Sequence, residues 1–176
     1  CSSDLPKGAM LTHANLTMNV AQSGAWSAEL LKPGEERVLA VLPFFHVFAM
    51  TGILNLGLSE GAEIIILPRF VLDDTIKLIA KSKPTVMPGV PTLFGAIMHH
   101  PEAGKLDLKS LKVCLSGGAP LPIEIKKGFE ALTGATLVEA YGLSETSPGA
   151  TCNPLDGRAK TGSIGQPLPG TIVAIR

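Results

Sequence analysis

The sequence predicts an α/β fold: a mainly parallel sheet flanked by helices. Three observations carry this expectation. Short apolar runs rich in β-branched residues alternate with longer segments of helical period, the order that builds parallel sheets. The 176 residues are 45% hydrophobic and only 17% charged, which suits a globular core and not a disordered chain. Polar clusters follow several of the apolar runs, where open α/β sheets collect their ligands.

The elements follow in order. His13–Leu31 reads as a helix, Val38–Leu42 as a strand and Val47–Leu58 as a helix of small, buried residues. Glu63–Leu67 is the next strand. Asp73–Lys81 is a helix that Asp73 can N-cap, with Lys81 and Lys83 near its negative pole and Pro84 beyond its end. Thr85–Met87 is a strand, and Pro91 suits the first turn of a helix running to His99. His99 and His100 close that helix as C-terminal caps. Lys112–Leu115 is a strand. In the helix Pro122–Thr133, Ile125, Phe129 and Leu132 share one face, and Gly134 suits the position just past the last turn. Thr136–Ala140 reads as a short, largely apolar run ending in a polar cluster, so it is expected to be central and parallel to its neighbours. Asn153–Gly162 lacks periodicity and reads as a loop; Thr171–Ile175 reads as a final strand.

Charge excludes some functions. Lys+Arg and Asp+Glu balance at 15 each, so no basic excess points to nucleic acid or an anionic membrane. Cys1, Cys114 and Cys152 show no CxxC spacing and read as free thiols of a reducing compartment, the cytoplasm. Val38–Ser59 carries no Asp, Glu, Lys or Arg and is long enough to span a bilayer. Pro43, His46, Gly52, Asn55 and Gly57 interrupt it, so a strand followed by a buried helix is the simpler reading, with peripheral membrane contact left open.

The chemistry concentrates in Tyr141-Gly142-Leu143-Ser144-Glu145-Thr146. An aromatic ring can stack on a base, a glycine admits close backbone, a hydroxyl can donate to phosphate and a carboxylate can hold Mg²⁺. Gly117-Gly118-Ala119-Pro120 follows a strand and lets backbone lie against a flat ring, though a plain strand-to-helix turn needs the same residues. Lys7, in Pro-Lys-Gly before a helix, is either a turn lysine or a point charge for phosphate, with Thr12 nearby. His46, between a strand and a buried helix, is either a satisfied core histidine or a site residue. No GxxxxGK[ST] motif is present. Gly142-Leu143-Ser144-Glu145-Thr146 approaches the G-x-S-x-G of an α/β serine hydrolase. Thr146 replaces its second glycine, and Ser147-Pro148-Gly149 opposes the helix that a nucleophile elbow needs.

From about Leu5 onward the chain resembles the AMP-forming acyl-adenylating enzymes: acyl-CoA synthetases, beetle luciferases and peptide-synthetase adenylation domains. The resemblance rests on Leu5-Pro6-Lys7-Gly8 with Thr12-His13, Ser116 to Pro120, Tyr141 to Thr146 and Gly162 to Pro167. Pro43 to Met50, Pro91 to Phe94 and Tyr141 to Pro154 make it most similar to a long-chain fatty-acid–CoA ligase. The resemblance implies ATP, Mg²⁺ and CoA as cofactors and a fatty acid or other carboxylate as substrate. It implies catalytic roles for His46, Ser144, Glu145 and Lys7, with Glu145 as the metal ligand. It implies nucleotide contacts from Thr12, Gly117, Gly118, Ala119, Tyr141, Gly142 and Ser144. Val47, Met50, Pro88, Val90, Leu93 and Phe94 are the implied acyl pocket, with plain core packing as the alternative at each position.

The resemblance also implies a central fragment of a longer, N-terminal adenylate-forming domain. Residues 1–13 would be a partial phosphate loop, 36–150 the α/β core, and 151–176 a loop and the start of the next sheet, with no C-terminal lid. Such a fragment is expected to be inactive alone. Cys1-Ser2-Ser3-Asp4 lacks the glycines of the family's phosphate loop, which favours the alternative of a non-catalytic nucleotide- or acyl-binding homologue.

Overall fold

The computed structural model describes residues 8–175. Seven strands form one sheet in the order β2-β1-β3-β4-β5-β6-β7. They are β1 (Arg37–Ala40), β2 (Glu63–Ile66), β3 (Val86–Gly89), β4 (Val113–Ser116), β5 (Thr136–Gly142), β6 (Gly149–Cys152) and β7 (Gln166–Pro167). The first five pair in parallel. β6 and β7 add an antiparallel extension on β5. The fold is therefore a mixed α/β architecture with a mainly parallel sheet flanked by helices.

The expected β5 sits inside the sheet, but only one neighbour is parallel to it. Its partner β6 was not legible as a strand: it has four residues, begins with glycine and follows directly on Pro148. Thr171–Ile175, expected as a strand, is not one; no ladder takes up its backbone, and Ile172 and Ile175 are almost fully exposed.

The helices are α1 (His13–Ser27), α2 (Val47–Ala49), α3 (Leu56–Ser59), α4 (Leu72–Ser82), α5 (Pro91–Met98) and α6 (Ile123–Thr133). Between α2 and α3, Met50–Asn55 is wound as a π-helix, so residues 47–59 run as one helical rod with a widened middle. No helix of the described residues is long and apolar enough to cross a membrane. The uncharged stretch from Val38 to Ser59 is thus one buried strand and this rod.

Helix ends follow local chemistry, with one correction. Val71, not Asp73, is the N-cap of α4; Asp73 lies in the first turn, where its carboxylate meets the helix pole and receives His100 Nε2 at 2.7 Å. His100 Nδ1 in turn accepts from Glu102 N at 3.0 Å, which leaves Nε2 to donate. His99 caps its helix through Nδ1 and Gly95 O, 2.8 Å apart. Pro91 opens α5, and Gly134 ends α6 at φ +76°, as expected.

The two faces of the sheet differ. Leu39, Val41, Met87, Cys114 and Leu137 face α4, α5 and α6 in the main core, where the rings of Phe94 and Phe129 meet edge-on at 5.1 Å. Val38, Ala40 and Val86 face the opposite way, onto Ala49 and Ile53 of the helical rod. This alternation is the period-two signature of a sheet covered on both sides.

Candidate active site

On the face covered by α1 and the helical rod, packing is incomplete. A cavity of about 570 Å³ opens there, floored by Val86 and Pro88 of β3, Val113 and Leu115 of β4 and Ala140 of β5. Trp26 and Leu31 close it on the side of α1; Phe48, Gly52 and Leu56 close it on the side of the rod. None of the described residues that line it is Asp, Glu, Lys or Arg. Such a space takes apolar or planar groups without a desolvated charge to satisfy.

At its mouth stand the carboxyl ends of β3, β4 and β5. The β5 end is held by a compact turn. Leu143 N donates to Pro148 O at 3.1 Å and to Thr146 Oγ1 at 2.9 Å, and the Thr146 hydroxyl bonds to Pro148 O as well. A one-turn 3₁₀ helix, Ser144–Thr146, leads to Ser147 at φ +73° and the cis Ser147–Pro148 bond. Gly142 has no substitute in this geometry, because a Cβ there would overlap the Pro148 carbonyl. Tyr141 is 43% exposed and lines the cavity, so its side chain is open to a ligand there.

The loop after β4 lies opposite. Gly117 N donates to Gly89 O at 3.1 Å, which binds the β3 and β4 ends together. A Cβ on Gly117 would come within 3.1 Å of the Phe48 ring, so the glycine lets aromatic and backbone approach. His46 is the N-cap of α2, makes no capping bond with its side chain, and lies 4.6 Å from the Phe45 ring. Its imidazole is exposed at the cavity, not satisfied in a core.

The residues singled out in the sequence thus divide. His46, Val47, Pro88, Val90, Gly117, Gly118, Tyr141, Gly142 and Ser144 all line the one cavity. Ala119 is exposed beside Gly118 and off the wall; Met50 is half-buried in the π-helix and also off it. Leu93 and Phe94 are buried in the core against α6, on the far face of the sheet. Thr12 spends its hydroxyl on a capping box with Asn15, accepting from Asn15 N at 3.1 Å and donating to Asn15 Oδ1 at 2.8 Å. Glu145 is exposed on the 3₁₀ turn just outside the lining. Lys7 lies outside the described residues.

Glu145 forms no ion pair among the described residues, and no group of three His, Cys, Asp or Glu side chains gathers there to cage a metal. One outward carboxylate fits Mg²⁺, which keeps water and substrate phosphates as its other ligands. The Ser144 hydroxyl is followed by a 3₁₀ turn and an antiparallel strand, not by the helix of a hydrolase elbow.

Residues the sequence did not single out also reach the wall. Asn19 and Ser23 come from α1, and Thr151 and Cys152 from β6. Burial pushes the Cys152 thiol up to about 12, so it stands in the wall as a small apolar group. Trp26 joins the same edge by donating Nε1–H to Asn153 O at 3.2 Å.

Fold and cavity define a class: α/β proteins that take their ligand at the carboxyl ends of a parallel sheet. Within that class, the chain belongs to the AMP-binding enzyme family, which it matches over residues 5–176. A long-chain-fatty-acid–CoA ligase of Bacillus subtilis (strain 168) is 49% identical over 170 residues, covering 97% of this chain and 30% of that protein. ATP-bound MatB from Rhodopseudomonas palustris superposes with a TM-score of 0.83 at 32% identity, covering 93% of this chain and 31% of that one. The N-terminal domain of FACL13 from Mycobacterium tuberculosis superposes at 0.80 with 28% identity, covering 93% and 41%. The chain therefore spans under half the length of the proteins it matches.

Proposed function

We propose that this chain is the adenylate-binding segment of a cytoplasmic fatty acyl-CoA ligase, which activates a carboxylic acid with ATP to acyl-AMP and passes the acyl group to CoA. One observation carries the reading: Tyr141–Ser144, Gly117–Gly118 and His46 converge on the mouth of a single uncharged cavity. The fatty-acid–CoA ligase of B. subtilis, 49% identical, supports the substrate class. The buried thiols Cys114 and Cys152, unpaired with each other, suit a reducing compartment.

In this reading the adenine lies between the Tyr141 ring and the Gly117–Gly118 backbone, and the acyl chain enters the floor past Val47, Pro88 and Val90. Leu93 and Phe94 support that floor from behind, and Met50 backs the wall from the helical rod. The substrate carboxylate is ionised at neutral pH, so it attacks the α-phosphate without a general base. His46 orients that carboxylate, and Ser144 donates to the phosphate. Lys7, Thr12 and Ala119 complete the nucleotide side. Mg²⁺ held by Glu145 and the phosphates would neutralise the charge that moves onto pyrophosphate. Since the described residues of the cavity wall supply no formal charge, that neutralisation would come from its rim.

The test compares two lengths of protein. The 176-residue chain should bind AMP, read from the fluorescence of Trp26, its one tryptophan, yet form no AMP from ATP and fatty acid. A protein extended to the length of its relatives should show fatty-acid-dependent ATP–pyrophosphate exchange. Absence of exchange in the extended protein, with AMP still bound, would make it a non-catalytic binding homologue. Ester hydrolysis lost in Ser144→Ala would replace the reading with a serine hydrolase.

A further inference from the structure

Asn19 lies in the middle of α1, only 3% exposed, and its amide faces the start of β6. Nδ2 donates to Gly149 O at 2.8 Å, and Gly149 N donates back to Oδ1 at 3.0 Å. The side chain thus does for Gly149 what a neighbouring strand would do: it satisfies both backbone groups of one residue at once. Gly149 faces Gly142 directly in the β5–β6 register, and Pro148, the residue before it, receives Leu143 N. Three short links therefore run from α1 to the turn that presents Tyr141 and Ser144.

The contact admits little slack. A Cβ on Gly149 would fall 2.9 Å from Leu168 Cδ1 and 3.3 Å from Asn19 Oδ1, so β6 is pressed against the helix. One turn further along α1, Gln22 steadies the Asn19 amide, its Oε1 accepting from Asn19 Nδ2 at 3.2 Å, and also reaches this sheet extension at a different place. Its Nε2 donates to Pro169 O at 2.8 Å, beyond β7 and away from the β5 end.

We infer that Asn19 is a positioning residue for the nucleotide site. By gripping Gly149 from the helix, it holds the β5–β6 turn at the height at which Tyr141 and Ser144 meet the ligand. This inference rests on the proposed adenylate site. α1 then serves as a common mount, because the Thr12 cap that opens it stands on the same helix, about 10 Å from Asn19 at 1.5 Å per residue. A shift of either end of α1 is passed to the other side of the cavity.

The test is AMP affinity, read from Trp26 fluorescence, in the unaltered chain, Asn19→Ala, Asn19→Asp and Thr133→Val, with urea stability measured on each. If the turn reaches its competent position only about a tenth of the time without Asn19, the apparent Kd rises about tenfold. Asn19→Ala should show that loss. Asn19→Asp keeps the acceptor for Gly149 N but sets a carboxylate oxygen against Gly149 O, so it should also weaken AMP. Thr133→Val, which loses comparable buried bonds at the end of α6, to Phe129 O at 2.8 Å and from Ala135 N at 3.2 Å, should lower stability and leave the Kd unchanged. A purely structural Asn19 predicts the same unchanged Kd in the folded fraction of all three variants, and that result would overturn the inference. Should Asn19→Ala not fold, Asn19→Asp carries the comparison. Failure of the unaltered chain to bind AMP would instead remove the adenylate reading itself, and this inference with it.

Discussion

Glu145 is the residue whose chemistry and burial point in opposite directions for fold and function. Its side chain is exposed, on a single 3₁₀ turn, with no ion pair among the described residues. Removing it should therefore cost the fold little. If it holds Mg²⁺ against the phosphates, its loss is felt most as charge shifts in the transition state. In a protein extended to the length of its relatives, Glu145→Ala should slow adenylation by roughly a hundredfold or more, about 2–4 kcal/mol, and shift the melting temperature little. Both quantities measured on one preparation separate the roles: normal turnover with a lowered melting temperature would remove Glu145 from the catalytic set. Asn19 shows why single residues of this kind differ in legibility. Tyr141, Ser144 and Glu145 stand together in six residues at a strand end, where pattern alone draws notice. Asn19 is one polar residue in a helix, and its partner Gly149 lies 130 residues away. No local pattern carries that pairing.

Elements of the parallel half are joined at their amino ends by a buried carboxylate. Glu36, just before β1, is 6% exposed and accepts from Thr85 Oγ1, from Lys112 Nζ at 2.9 Å and from Lys32 N at 3.2 Å. Thr85 precedes β3 and Lys112 precedes β4, so one side chain gathers three strand starts. Burial alone would raise its pKa; the Thr85, Lys112 and Lys32 hydrogen bonds outweigh this and hold it below the usual carboxylate value of 4.5. A depressed pKa in the folded state contributes stability above the unfolded value, and that stability is lost as pH falls through the folded one. Glu36→Gln should thus be less stable than the parent protein at pH 7, and the gap in urea midpoint should narrow as pH drops below about 4.5. A gap that stays constant to pH 3 would show that packing, not charge, sets the role of Glu36. The strands and helices of this half were legible because each buries a run with its own period. β6 and β7 were not: β6, Gly-Ala-Thr-Cys directly after a proline, lacks an apolar β-branched run, and β7 is two residues ending in proline. Thr171–Ile175 has the right period for a strand but no sheet edge that takes it up.

At the scale of the molecule, the sheet is asymmetric. Its interior is buried on both faces, and its antiparallel end is braced by α1 through Asn19, Gln22 and Trp26. The other end is β2, which pairs with β1 on one side and with no strand of the described residues on the other. Sequence reading placed β2 as a strand, but its position at the rim depends on pairing order and could not be read locally. That position has a colloidal consequence. Glu63-Ile64-Ile65-Ile66 offers three β-branched residues and no proline, with Ile66 57% exposed and the one charge, Glu63, paired to Arg37 at 2.8 Å. An unpaired backbone row beside such side chains is a template for another strand. Concentrated solutions of the 176-residue chain should scatter light increasingly with time, and Ile66→Lys should suppress this without altering AMP affinity, because three strands separate β2 from β5. Scattering that Ile66→Lys leaves untouched would direct attention to another surface. Handling of this chain, its shelf life and the concentration it tolerates are then governed by one rim strand.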